Sequence, residues 1–318
     1  MTLTFAVSFA ENGALLRNFL RAHGVSASLA RSVKTHGGFW CGGAPIHTDM
    51  RVSAGTDIVF ALPPERDTTV LPQEMPFCAV YEDMHALVLN KPAGLTVHPT
   101  RGYPDGTLAN AFCGEMLRRG APRAFRPIHR IDRNTSGLVL CAMNEYAAPL
   151  LGKSVQKTYY AIVQGSLPDS GEIDAPIGLC AESFIKHCVT PDGKPSVTRY
   201  RTLWRGDGLS LAAVTPVTGR THQIRVHFAA LGYPLAGDDF YGGMTDKICR
   251  HALHCGRVTF EDVHTQYVAQ TGETVTESAA CAPARHTVLC PLPADMAALL
   301  PPKVCACLDA PARGLTMD

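Results

Sequence analysis

Apolar residues recur at helical spacing near the beginning of the chain and then give way to short strand-like runs. Two helices are predicted by these apolar residues: Leu15, Leu16, Phe19 and Leu20, then Val25, Leu29 and Val33. Short strands should follow at residues 39–41, before the turn at 42–45, and at residues 56–62, before Pro63 and Pro64. The pattern predicts a small αα-β module over residues 1–64 and a linker over residues 65–78.

A larger unit is predicted over residues 79–300, in which strands outnumber helices. The expected strands are residues 86–90, 138–142, 159–164, 196–203 and 209–215, and the expected helices are 107–117, 145–151 and a short one within 291–300. The order of elements is irregular, with hairpin turns and no regular βα alternation. It predicts an α+β fold, with a mixed and largely antiparallel central sheet and flanking helices. Residues 266–285 are polar and irregular, and residues 301–318 should form a tail.

Composition sets limits on the class of protein. The chain has 318 residues, of which 46% are hydrophobic, enough for two folded units. Its 12 cysteines have no regular spacing, and residues 1–10 lack the basic-then-apolar layout of a secretory signal, so we expect reduced thiols in a cytoplasmic protein. No apolar run approaches the length of about 20 residues that crosses a bilayer. We therefore expect no membrane association, and we expect a monomer.

The formal net charge of +1 hides a strong local asymmetry. A short window contains many arginines and a single acidic residue, Asp132; the arginines are Arg118, Arg119, Arg123, Arg126, Arg130 and Arg133. Opposite charges on both sides keep a carboxylate ionised, which suits a nucleophile or a base and not an acid. A cationic field also attracts a polyanion. The alternative is that the arginines pair with Asp132 only to fix a surface loop.

A second cluster of polar residues lies at residues 218–227. Thr221 is predicted to cap a helix that places Ile224, Phe228 and Leu231 on one apolar face and Arg225 on another. Arg220 lies just before the amides at the start of this helix, where phosphate can bind. We predict no metal site, because neither His222 and His227 nor the cluster His251, His254 and Cys255 has the ligands of a tetrahedral site.

A third feature is a strand that carries two adjacent tyrosines. Alternation along residues 157–163 places Tyr159 on one face of the strand and Tyr160 on the other, so one of them should face the core. The other can offer an aromatic surface to an unstacked base, a contact of roughly 1–3 kcal/mol. Two tyrosines that both pack in the core are the structural alternative.

Taken together and in this order, these motifs resemble the pseudouridine synthases of the RluA type. The matching stretches are residues 81–83, 90–99, 129–132 with 135–137, 157–165, 218–227, 232–238 and 241–242. The resemblance covers residues 79–300, and the N-terminal outline resembles an S4-type RNA-binding domain, which many members carry. It implies the pseudouridine synthase fold, isomerisation of uridine to pseudouridine in RNA, and no cofactor. Ile131 stands where leucine is commoner, and Arg133-Asn134 replaces a lysine-acid pair.

The resemblance also implies roles for individual residues. Asp132 corresponds to the catalytic aspartate, Tyr159 to the active-site aromatic residue and Arg225 to the basic partner of the aspartate. Arg130 corresponds to the arginine that fills the gap left by a flipped nucleotide. The residues expected to contact RNA are Arg130, Arg133, Arg220, His129, Lys91 and Arg126.

Two other classes of protein compete with this interpretation. An RNA-binding protein without activity would have no use for Asp132, Tyr159 and Arg225 together. A glycosidic-bond hydrolase would need two carboxylates near the cleft, and the arginine window offers one. The expected substrate is a structured RNA, with large-subunit ribosomal RNA first and transfer RNA second. Which uridine is modified is not encoded in any simple sequence pattern.

Overall fold

A short open sheet and two helices form the N-terminal module of this chain, whose computed structural model describes residues 1–65, 69–263 and 284–309. The module contains β1 (Thr2–Ala6), α1 (Leu16–Ala22), α2 (Ala27–His36), β2 (Phe39–Cys41), β3 (Ala44–Ile46) and β4 (Asp57–Ala61). Its strands are antiparallel in the order β1-β4-β2-β3. The two predicted helices and the strand before Pro63 are confirmed; β1, which completes the sheet, was not predicted.

Both helices bury the apolar faces that the spacing predicts. Leu16, Phe19 and Leu20 of α1 pack with Leu29 and Val33 of α2 in a core of their own. The Ser26 hydroxyl accepts a hydrogen bond from the Leu29 amide, which caps α2. The module therefore has a hydrophobic core separate from that of the larger unit.

The larger unit is built on a ten-stranded sheet. Its strands are β5 (Ala79–Glu82), β6 (Ala86–Lys91), β7 (Arg126–Pro127), β8 (Ser136–Ala142), β9 (Gln156–Gln164), β10 (Ser170–Asp174), β13 (Val197–Gly206), β14 (Leu209–Pro216), β15 (Leu253–Glu261) and β16 (Arg285–Leu289). A separate hairpin consists of β11 (Ile177–Leu179) and β12 (His187–Val189). The helices are α3 (Leu108–Arg118), α4 (Ala147–Ser154), α5 (Gln223–Ala230), α6 (Ala294–Ala297) and α7 (Pro302–Asp309).

The sheet runs in the order β10-β13-β14-β9-β15-β8-β6-β5, with β16 also on β15 and β7 also on β8. Only β8 and β15 pair in parallel among the described strands, so the predicted α+β fold with a mixed, largely antiparallel sheet is confirmed. One face packs against α3, α4 and α5 through a core that includes Phe112 and Phe228. The other face packs against α6 and α7 through Ile162, Leu211 and Met296.

Several boundaries differ from the predictions. The tail predicted from residue 301 begins as α7, which packs against the sheet through Val304 and Leu308. Residues 266–283 of the predicted irregular stretch lie outside the described residues. Within the predicted linker, the described residues 65 and 69–78 form no helix or strand, yet Gln73 and Leu71 bond to Asn110 of α3. Within the described ranges, no helix is long and apolar enough to span a membrane.

Candidate active site

Asp132 lies on a short loop between β7 and β8, and buried cations hold this loop from behind. The Lys91 ammonium donates hydrogen bonds to the carbonyls of Pro92, Leu95 and Arg133 at 2.9, 2.7 and 3.0 Å. The Arg250 guanidinium donates to the Asn134 carbonyl at 3.0 Å. Successive backbone carbonyls that follow Asp132 are therefore bonded to fixed donors, and the carboxylate is presented from a rigid support.

The same loop has two further supports. A hydrogen bond from the Thr135 amide to the Asp132 carbonyl closes a turn at 3.1 Å. The Thr135 hydroxyl and the Nε2 atom of buried His251 lie 2.8 Å apart. Burial, with Arg225 and Arg250 nearby, lowers the pKa of His251 to about 2, so its ring is neutral.

Arg225 of α5 lies between two carboxylates. Its guanidinium donates two hydrogen bonds to Asp238, both at 2.7 Å, and one to Oδ2 of Asp132 at 3.4 Å. The Arg225 and Asp238 side chains are 8% and 1% exposed, whereas that of Asp132 is 27% exposed. Arg225 is thus the predicted basic neighbour of Asp132, but its firm partner is Asp238.

His222 and Tyr241 complete the surroundings of Asp132. The His222 Nε2 atom lies 4.0 Å from Oδ2 of Asp132, and its Nδ1 atom lies 2.9 Å from the Tyr241 hydroxyl. Tyr241 also lies under the Arg225 guanidinium, with 4.9 Å between the guanidinium carbon and the ring centre. The carboxylate thus faces one arginine and one imidazole.

A cleft of about 630 Å³ opens in front of Asp132. Tyr159 of β9 lines this cleft, whereas Tyr160 points to the opposite face of the sheet and packs with Ile162. Burial raises the pKa of Tyr159 well above its ordinary value, so the phenol keeps its proton. The strand alternation therefore places one tyrosine at the site and one in the core.

The predicted RNA contacts fall into two groups. Arg130, Arg133 and Arg220 are exposed and line the rim of the cleft. Arg133 is held there, because its Nε atom donates to the Gly94 carbonyl at 3.0 Å and its guanidinium lies 4.7 Å from the ring centre of Tyr103. These arginines form a cationic border around Asp132 that suits a phosphate backbone.

His129, Lys91 and Arg126 differ from the prediction. His129 lines the cleft, but it donates from Nε2 to the Leu138 carbonyl, and burial lowers its pKa to about 3, so it carries no charge. Lys91 as an RNA contact is wrong, because its side chain is fully buried under the loop that carries Asp132. Arg126 pairs with Glu65 at 2.8 Å and does not line the cleft.

The arginine window is also less uniformly positive than the sequence suggests. Arg118 and Arg119 both pair with Glu115 at 2.7 Å, and Arg119 also pairs with Glu82. Arg123 donates to the Met143 carbonyl. Only the two arginines nearest Asp132 in this window, Arg130 and Arg133, remain at the cleft.

Two predictions about the helix after residue 220 are wrong. The residue before the helix is His222 in a left-handed conformation, not Thr221, and the Gln223 side chain accepts the Arg220 amide instead. Leu231 lies just after the last turn and is exposed. Arg225, which the prediction placed on a different face from Ile224 and Phe228, is buried. Within residues 1–65, 69–263 and 284–309, no group of three or more His, Cys, Asp or Glu side chains could hold a metal ion.

Three important residues were not identified from the sequence. Asp238, Tyr241 and Arg250 contact either the Asp132 loop or Arg225. Asp238 and Tyr241 belong to the stretches that carried the family resemblance, but no role was assigned to them. Their function depends on contacts between segments far apart in the sequence, which local pattern does not report.

Sequence comparison finds relatives with a common description. A family model described as RNA pseudouridylate synthase matches residues 85–230. A Bacillus subtilis protein named as an uncharacterized RNA pseudouridine synthase, YjbO, is 35% identical over 251 residues, which cover 76% of this chain and 89% of that protein. The ribosomal large subunit pseudouridine synthase D of Pseudomonas aeruginosa is 41% identical over 207 residues, which cover 63% of this chain and 64% of that protein.

Two solved structures whose names carry the same description also resemble this chain. The human protein named RNA Pseudouridylate Synthase Domain Containing 1 superimposes with a TM-score of 0.50 at 28% identity, over 61% of this chain and 82% of that one. Human RNA Pseudouridylate Synthase Domain Containing 4 superimposes with a TM-score of 0.51 at 21% identity, a likeness of fold.

Proposed function

Because this chain belongs to the RNA pseudouridine synthases, isomerases that act on RNA, we propose that its substrate is a uridine of large-subunit ribosomal RNA and that Asp132 carries the reaction. The observation that carries the site assignment is the placement of Asp132 at the cleft, on a loop fixed from behind and beside Arg225. The name of the Pseudomonas relative supports the choice of RNA. Transfer RNA is the second candidate.

The chemistry requires an ionised carboxylate in a partly desolvated pocket. Conversion of uridine breaks the bond from N1 to C1′, turns the uracil and joins C5 to C1′. C5 then loses its proton and N1 gains one, so the product is an isomer of the substrate. Asp132 can attack C1′, attack the ring or abstract a sugar proton, and each route needs the charged form. No redox equivalent or transferred group enters or leaves, so the reaction itself calls for no cofactor.

Access to the uridine requires that the nucleotide leave its stack. Unstacking costs a few kcal/mol, which contacts to the flipped base and to the vacancy must offset. Arg130 is exposed at the rim, where it can fill the vacancy, and Tyr159 lines the cleft, where its ring can stack on the uracil. Since the Tyr159 phenol stays protonated, it serves as a stacking surface and hydrogen-bond donor.

The N-terminal module is assigned a role in RNA binding. Residues 1–64 carry two helices on a small sheet, the outline of an S4-like domain, and α2 presents Arg31 and Lys34 to solvent. We assign residues 79–300 to the catalytic domain. We also propose that the protein is a cytoplasmic monomer, which is compatible with a ribosomal RNA substrate.

The experiment is a modification map. RNA from a strain that lacks this protein is incubated with the purified full chain, and carbodiimide-dependent stops of reverse transcription locate new pseudouridines. We expect at least one new site in large-subunit ribosomal RNA and none with Asp132→Asn, which keeps the shape and removes the charge. New sites confined to transfer RNA would reject the ribosomal target. Unchanged sites with Asp132→Asn would reject the assignment of Asp132.

A further inference from the structure

His222 has an unusual backbone conformation at the edge of the cleft. Its φ and ψ are 54° and 18°, in the left-handed region that costs a residue with a side chain roughly 1–2 kcal/mol. The other described non-glycine residue with positive φ is Asp207, in a hairpin turn. Conformations of this kind persist where surrounding contacts enforce them, and they concentrate at functional sites.

The contacts around His222 favour one position of its ring proton. The backbone amide of His187 on β12 donates to the Tyr241 hydroxyl oxygen at 3.3 Å. Since that oxygen accepts a bond, its own proton is free to go to the Nδ1 atom of His222, 2.9 Å away. The neutral imidazole then carries its proton on Nε2, the atom that lies 4.0 Å from Oδ2 of Asp132.

The two oxygens of Asp132 have different surroundings. Arg225 and His222 both approach Oδ2, at 3.4 and 4.0 Å. Among the described residues, none bonds to Oδ1. This asymmetry leaves Oδ1 as the oxygen available for reaction, while Oδ2 is held by donors. Such an arrangement resembles the general pattern in which a base or nucleophile is oriented by a second residue, itself oriented by a third.

We propose that His222 is a positioning residue for Asp132, with its tautomer set by Tyr241, so that a neutral Nε2–H and the Arg225 guanidinium together hold Oδ2 and direct Oδ1 to the uridine. The inference rests on the proposed role of Asp132 and extends it to a residue and a tautomer. The distance of 4.0 Å is longer than a hydrogen bond, and an approach of about 1 Å on substrate binding closes it.

The neutral form of His222 is favoured by its surroundings. Burial is the main cause that lowers its pKa, and nearby Arg225 and His187 lower it further, against the opposing effect of Asp132 and Asp238. The titratable groups around the ring are Asp132, His187, Arg225, Asp238, Tyr241 and His251. Protonation of His222 would place a second cation on Oδ2 and make the carboxylate a weaker nucleophile. Activity should therefore fall as the pH drops through the pKa of His222, below the ordinary imidazole value of about 6.5.

The test uses the full chain with His222→Gly. Glycine adopts a positive φ without strain, so the backbone of residue 222 is preserved while the imidazole is removed. We expect kcat to fall about tenfold to a hundredfold, the loss that is typical when a residue that orients a metal ligand is removed. KM for the RNA should stay the same, the acid limb assigned to His222 should disappear, and added imidazole should restore part of kcat.

Two further variants separate this role from a general effect on folding. His227→Gln changes a buried histidine of the same helix that bonds to Thr198 and Ala175, so it should lower Tm but keep the acid limb. Tyr241→Phe removes the hydroxyl that sets the tautomer, so kcat should fall less than in His222→Gly. Wild-type kcat and an unchanged acid limb in His222→Gly would overturn the inference. If Asp132→Asn were also active, the role proposed for Asp132 would fail, and the inference about His222 would fail with it.

Discussion

At the scale of single residues, Asp132 shares its basic neighbour Arg225 with a second carboxylate, that of Asp238. Arg225 forms a bidentate pair with buried Asp238 and reaches Asp132 with one longer bond. Asp238 therefore holds the guanidinium in place with two short hydrogen bonds, which leaves Asp132 with one longer contact to Arg225. The family resemblance supplied Asp132 and Arg225, but Asp238 could not be assigned, because its role exists only in the folded contact.

Asp238→Asn tests this division of roles. The variant breaks a buried ion pair and leaves Arg225 without its full counter-charge, so the free energy of unfolding should fall by about 3 kcal/mol. Arg225 should then pair more tightly with Asp132, and kcat should fall. Urea unfolding and release of tritium from uridine C5 measure the two effects. The matched control is Asp239→Asn, an exposed neighbour, which should change neither value; equal effects in both variants would contradict the role of Asp238.

Lys91 shows how a sequence prediction fails at the residue scale. A lysine in a motif that binds RNA suggests a phosphate contact, but Lys91 is buried and its three N–H donors face three carbonyls. Burial lowers the pKa of Lys91 to about 7, which shows how far it is removed from solvent. A local sequence pattern does not show whether a lysine side chain is buried or exposed to solvent.

Lys91→Met should therefore act on stability and catalysis rather than on RNA affinity. The variant leaves the carbonyls of Pro92 and Leu95 without their donor, so the free energy of unfolding should fall by on the order of 3 kcal/mol. The Asp132 loop loses a support at Arg133, and kcat should fall with it. Denaturant unfolding and RNA binding at low temperature separate the effects. Loss of RNA affinity in a fully folded variant would restore Lys91 as an RNA contact.

At the scale of elements, the sequence pattern predicted five of the ten strands of the larger sheet but missed one of its central strands. Strands β6, β8, β9, β13 and β14 appear where the alternation places them. Strand β15 was missed, although it lies between β9 and β8. After Leu253, its sequence continues with histidine, cysteine and glycine, the first two of which we considered only as possible metal ligands and rejected. A register shift between Cys255 and Arg257 also interrupts the alternation. This segment is a strand because it pairs with β8 and β9, which are far from it in the sequence. The local sequence does not show that pairing.

At Gly137, strand β15 constrains the position of the Asp132 loop. Its φ is +106°, and a Cβ atom there would overlap the backbone oxygen and nitrogen of Cys255. Gly137→Ala should therefore separate β8 from β15 and displace the preceding Asp132 loop, with a loss of unfolding free energy above about 3 kcal/mol and of activity. Gly102→Ala, in open space at an ordinary φ, is the control. Equal melting temperatures for the two variants would show that this close approach is not required.

At the scale of the whole molecule, the two cores meet through a tyrosine of the larger unit. Tyr146 is buried in the core of the N-terminal module, and its hydroxyl donates to the His23 carbonyl at 2.9 Å. Gly24 packs closely against Leu150 of α4. The sequence predicted the two units from length and pattern, but their contact depends on surface shape, which has no local signal. This contact places the basic residues of α2 and the cleft on one connected structure.

Electrostatic attraction between the arginines of the cleft and the phosphates of RNA leads to a prediction about binding. The chain is almost neutral overall, so affinity for phosphates must come from local groups such as the cleft arginines Arg130, Arg133 and Arg220. Binding should weaken steeply with salt, and Arg220→Gln should reduce the slope of log affinity against log salt concentration by about 1 if Arg220 contacts a phosphate. Fluorescence anisotropy with a ribosomal RNA fragment across a potassium chloride series measures this slope.

The control for this experiment is another exposed arginine that does not line the cleft. Arg118 lies at the end of α3, where Glu115 already neutralises it, so Arg118→Gln should leave the slope unchanged. The comparison separates the site from the overall charge, because both variants change the net charge by the same amount. Equal reductions in slope would mean that RNA responds to total charge, and a flat salt response of the unmodified chain would remove the role assigned to the arginines of the rim.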